Sequence, residues 1–93
     1  MVVGVLRVRL GILEALSLKD KRRVTRSLKD RLGARHNVSI AEVDDLEHRQ
    51  AATLGLAMVA NDARFVESAL RKILDEIRAY RGASLLEFDI ELL

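Results

Sequence analysis

From Asp62 to about Tyr80 the chain places Val66, Ala69, Leu70, Ile73, Leu74 and Ile77 on a wide apolar stripe at helical spacing. Asp62 stands where an N-cap belongs, and Gly82 marks the end of the segment. Directly after it, Leu86, Phe88, Ile90 and Leu92 alternate with Glu87, Asp89 and Glu91, which predicts a strand over Leu85–Leu93 with the apolar set facing in. A one-faced helix running into a one-faced strand needs a shared apolar layer between them, and the rest of the chain repeats the same plan.

Val2–Leu13 reads as a strand. Val2, Leu6, Val8, Leu10 and Ile12 fall on one face with Gly4 among them; Val3, Val5, Arg7, Arg9, Gly11 and Leu13 fall on the other. Ser17 is a good N-cap for a helix, and Asp20 three residues on resembles a capping box. Val24, Leu28 and Leu32 form a narrow core stripe, with Gly33 as the expected stop. Asn37–Asp44 predicts a short second strand, Asp45–Gln50 a hairpin loop, and Ala51–Ala60 a third strand. That third strand has Leu54, Leu56 and Met58 on one face and small residues on the other.

The order is therefore β-α-β-β-α-β. Two right-handed crossovers joined by a hairpin predict an α+β, ferredoxin-like sandwich: a four-stranded antiparallel sheet with both helices on one face, as a single domain over 1–93. Strands one and three carry apolar residues on both faces, which predicts central positions. The last strand then lies beside the first, placing Glu87, Asp89 and Glu91 near Arg7 and Arg9 for cross-strand pairing.

Composition narrows the chemistry. The 93 residues contain no Cys, which removes disulfides, thiolate metal sites and a Cys nucleophile. Aromatics are only Phe65, Tyr80 and Phe88, so the core is expected to be aliphatic. Pro is absent and Arg outnumbers Lys twelve to four, a balance that fits a thermophilic source. No apolar run approaches the roughly 20 residues of a membrane span, and Arg7 and Arg9 interrupt the only apolar N-terminal stretch. A cytoplasmic location is the expectation.

The net charge of +2 conceals an asymmetry. Residues 1–36 hold ten Lys and Arg against three acids; residues 37–93 hold six against eleven. Much of the excess lies in Ser17–Arg31, where Lys19, Arg22, Arg23, Arg26 and Lys29 share the face opposite Val24 and Leu28. Lys19–Arg23 and Arg22–Arg26 are like-charge i,i+4 pairs, each costing about 0.2–0.5 kcal/mol. The cations also crowd the helix N-terminus, where the macrodipole disfavours them. Helix stability argues against this arrangement, whereas an anionic partner accounts for it. Ser17 and Lys21 complete the candidate anion-binding set at the helix start. A solvated face, offset by acids from elsewhere in the fold, is the alternative. Lys21 borders the core stripe, so it either snorkels along the sheet edge or points into the strand–helix junction near Glu42.

SLKDKR at Ser17–Arg22 and NVSIAE at Asn37–Glu42, followed by Val43 and Asp44, resemble motifs of the YlxP-like family, small bacterial proteins carried as a domain of unknown function. The resemblance covers essentially the whole chain. His36 departs from it, standing where the family usually has an aromatic residue before the Asn. The resemblance implies a ferredoxin-like fold. Through the genes beside which members are encoded, it also implies an association with RNA or the ribosome.

Other readings fare less well. The sheet face without helices has no aromatic to stack bases, unlike RNA-recognition domains of this topology. Glu42, Asp44, Asp45, Glu47 and His48 lack metal-site spacing and read as a solvated hairpin. His36 and His48 belong to no triad motif, and neither GxxxxGK[ST] nor GxGxxG occurs, so no cofactor is implied. A phosphatase of the acylphosphatase type needs Gly and Arg in the loop after the first strand, and Leu13–Leu18 has neither. The expectation is a non-enzymatic module binding structured RNA through its first helix. A self-associating or protein-binding module using the open sheet face, including a homodimer, is the alternative.

Overall fold

The computed structural model describes residues 1–93 and follows the expected order: β1 (Val2–Gly11), α1 (Leu18–Arg35), β2 (Ser39–Asp44), β3 (Ala51–Ala60), α2 (Ala63–Ala79) and β4 (Ser84–Leu92). The four strands form one antiparallel sheet in the order β2-β3-β1-β4, with β1 and β3 central. Both helices pack on one side, giving the ferredoxin-like α+β architecture. The core between the layers is aliphatic: Leu6, Val8 and Leu10 of β1 and Leu54, Leu56 and Met58 of β3 meet Leu28 and Leu32 of α1 and Val66, Leu70, Ile73, Leu74 and Ile77 of α2. No helix is long and apolar enough to cross a membrane.

Several boundaries differ from the expectation, each for a tertiary reason. Gly33 does not stop α1. No glycine takes a positive φ, and the helix runs on to Arg35, where His36 turns extended and its N–H closes on the Leu32 carbonyl. Glu76 of α2 accounts for the extra turn: its carboxylate pairs with both Arg35 and His36. In β4 the alternation slips at a register shift between Arg9 and Leu10, so that Leu10 lies opposite Leu85. Leu85 therefore packs on the core while Leu86, expected inside, is 55 % exposed. Beyond the shift, Phe88 and Ile90 regain the helix side, and Arg78 of α2 covers the Phe88 ring.

The core stripe of α1 also sits further round than Val24 suggests. Its buried residues are Lys21, Thr25, Leu28 and Leu32, at spacings of four, three and four, while Val24 is half-buried at the flank. The polar members of this stripe lead to the site.

Candidate functional site: a cationic helix face and a buried lysine latch

Ser17 caps α1 by accepting from the Asp20 N–H at 3.1 Å, and Asp20 accepts in return from the Leu16 N–H at 3.0 Å. The return bond lands one residue before the cap, a variant of the expected box that fixes the loop entering the helix. From this start the helical repeat divides the cations between two environments.

Lys19, Arg22, Arg23 and Arg26 point outward and, with Ser27 and Asp30, line one open groove along α1. None of the four is in an ion pair: the carboxylates that make ion pairs do so with Arg7, Arg9, Lys21, Arg35, His36, Arg71 and Arg78. The acids from elsewhere that a solvated, neutralised face requires are not there. Lys29 does not join the groove. It is half-buried on the flank, one turn from the core stripe.

The excess is a property of the whole helix layer. The two helices hold twelve Lys and Arg against five Asp and Glu, a surplus of seven. The four strands hold two against five, a deficit of three. The imbalance between chain halves thus becomes one between layers, with positive potential on the helical side.

Lys21 stands apart from this surface. Its side chain is fully buried, and Nζ donates to Glu42 Oε2 at 2.8 Å, to the Asp45 carbonyl at 2.8 Å and to the Leu46 carbonyl at 3.3 Å. All three protons are spent inside the protein, so none remains for a phosphate. Of the two directions open to Lys21, the structure takes the one into the strand–helix junction. The residue latches the β2–β3 hairpin to the start of α1.

The same hairpin captures β1. Arg7 Nη2 reaches Asp44 Oδ2 at 3.2 Å and Arg9 Nε reaches Asp45 Oδ2 at 3.1 Å. Glu87 and Asp89 stand beside Arg9 and Arg7 in the ladder but are not their partners, which corrects the expected cross-strand pairing. On the other side of β1, Arg7 lies opposite Gly55 and Arg9 opposite Thr53. The guanidinium groups reach past β3 to the end of β2, while the space over Gly55 itself is taken by Val43. The hairpin acids are therefore held in a network. Asp45 is the hub: it takes a left-handed φ of 61° and also accepts from Thr53 Oγ at 2.6 Å.

The Thr53 hydroxyl, followed by the Arg9 guanidinium, holds the Asp45 carboxyl below its ordinary value of 3.8. A depressed carboxylate adds stability that is present above that value and lost as pH falls through the lower folded value. Thr53→Val removes the largest cause. It is expected to be less stable than the parent at pH 6, with the gap closing as pH drops below 3.8. Urea unfolding at several pH values checks this, and a gap that widens in acid contradicts it.

The Lys21 latch was hard to read from sequence because lysine is so seldom fully buried. One signal was present: Lys21 precedes Thr25, Leu28 and Leu32 in the stripe repeat, and Glu42 follows in the second motif.

Comparison with known proteins identifies a family and stops short of an activity. A family model described as a protein of unknown function (DUF503) matches residues 3–90, and the chain belongs to that family. No curated protein matches it. The YlxP-like resemblance is consistent with this membership.

Proposed function

We propose that this member of the DUF503 family is a non-enzymatic module that binds structured RNA, ribosomal RNA included, through the outer face of α1. One observation carries the reading: Lys19, Arg22, Arg23 and Arg26 share an exposed groove with no carboxylate partner. With Asp30 the one carboxylate lining the groove, four cations over two turns cost the helix stability that an anionic partner returns. Arg predominates, and its planar fork suits phosphate oxygens. The groove has no aromatic side chain, which favours backbone contacts on folded RNA over base stacking on single strands. Arg64 and Lys72, outside ion pairs on α2, extend the cationic layer beyond one helix.

Binding of a structured ribosomal RNA fragment, measured against salt, tests this. Counterion release predicts a linear fall of log K with log salt. Arg22→Glu/Arg23→Glu/Arg26→Glu should weaken binding by at least about tenfold at physiological salt and flatten the slope by about two to three units. A flat salt dependence of the parent, or an unchanged affinity in the triple variant, would falsify the reading.

A further inference from the structure

The sheet face away from the helices carries two features that RNA binding leaves unused. Val5, Ala41, Val43, Gly55 and Ala57 line a shallow apolar groove, with Val43 53 % exposed and nearby Val59 50 % exposed. Along the β4 edge, Glu87, Asp89 and Glu91 project from the same face, all exposed and none in an ion pair. The two features adjoin, because Glu91 stands opposite Val5 in the ladder.

We infer that this face docks a basic amphipathic helix of a partner protein, its apolar side chains in the groove and its Lys or Arg residues on the β4 acids. Charge complementarity selects the occupant. Arg7 and Arg9, the only cations of the sheet, lie beside Asp89 and Glu87 but pair with Asp44 and Asp45, so five carboxylates stand against two guanidinium groups and the face keeps an excess of negative charge. Spacing agrees with a helix. Alternate strand residues are about 6.7 Å apart, and helix positions four apart rise about 6 Å. Cations at i, i+4 and i+8 thus track Glu87, Asp89 and Glu91 in turn. The mode is that of a helix laid in a groove and read through its anchors.

A second copy of the chain fits less well. A two-fold axis along the strands through the sheet centre sets β4 over the partner copy's β2, whose residues Ser39–Asp44 include no cation. An axis across the strands sets the β4 acids on their own counterparts. Either way acids are buried against acids or against a strand with no cation, and unpaired desolvated charge opposes the contact. An anionic membrane or nucleic acid is repelled by the same row.

The test uses the full chain and a synthetic helical peptide of about five turns, with Leu on one face and Lys at i, i+4 and i+8 along its flank. Two control peptides are a scrambled sequence of the same composition and a Lys→Glu version. Fluorescence anisotropy at physiological salt should show the designed peptide binding at least about tenfold tighter than either control. Glu87→Gln/Asp89→Asn/Glu91→Gln and, separately, Val59→Asp should each weaken it by a similar factor, with folding confirmed by thermal melts. Arg22→Glu/Arg23→Glu/Arg26→Glu should leave peptide binding intact while weakening RNA binding, so the two readings fail separately. Equal affinity for the controls, or no loss in the neutralised β4 variant, overturns the inference. So does a micromolar dimer in sedimentation that Val59→Asp dissociates, since the face would then belong to a second copy.

Discussion

Lys21→Met is expected to cost the fold about 3–5 kcal/mol, the range for removing one partner of a buried ion pair. The magnitude follows from what is left behind. Glu42, with a side chain only 13 % exposed, loses its counter-charge. The Leu46 carbonyl loses its donor in the same step, and the Asp45 carbonyl keeps only the His48 N–H. Methionine keeps the apolar stem of lysine as far as Cε, so the loss reports mainly the ammonium. Adding Glu42→Met should return part of the stability, because two apolar groups replace a broken pair, but not all of it, because the Leu46 carbonyl remains without its donor and the Asp45 carbonyl keeps only the His48 N–H. Urea unfolding of the two single variants and the double variant checks the cycle. If Lys21→Met unfolds within about 1 kcal/mol of the parent, the latch does not hold the hairpin. Amide exchange in Asp45–Gln50 should rise in Lys21→Met before exchange in α2 does, since the hairpin would open locally.

Gly4→Val should destabilise by about 3 kcal/mol, the upper part of the range for overpacking a filled core. Gly4 is buried near the start of β1, where Val66 and Leu70 of α2 press on the sheet. A Cβ there would lie 2.2 Å from Val66 Cγ1 and 2.9 Å from Leu70 Cδ1. Glycine is needed for the close approach of helix to strand and not for an unusual φ, which it does not have. The compensating pair follows directly. Val66→Ala removes the obstructing methyls, so Gly4→Ala/Val66→Ala should cost less than the sum of its single changes. Additive single and double variants in urea unfolding would show that α2 does not press on Gly4.

The topology was legible in the sequence because it depends on period. The stripe Val66–Ile77 has one periodicity and the alternation in β1, β3 and β4 another, and each pattern buries well in only one kind of element. Central positions for β1 and β3 followed from apolar residues on both faces. The errors fell where a tertiary contact overrode a local signal: Glu76 carries α1 past Gly33, and the register shift beside Leu10 turns Leu86 outward.

For the candidate site, the sequence by itself determined that Lys19, Arg22, Arg23 and Arg26 share a helix face, because helical angles fix which residues lie together. It also fixed the excess of cations there. Packing of the folded chain leaves these four outside any ion pair, turns Lys29 to the flank and spends the protons of Lys21 on the hairpin. It likewise turned Arg7 and Arg9 toward Asp44 and Asp45 in place of Glu87 and Asp89. The physical reason is common to all of these. A long cationic side chain reaches acceptors on either side of its own strand or helix turn, and no periodicity specifies which. That choice is made by the β2–β3 hairpin, whose Asp44 and Asp45 carboxylates take Arg7 and Arg9 and whose two carbonyls, with Glu42, converge on one buried ammonium.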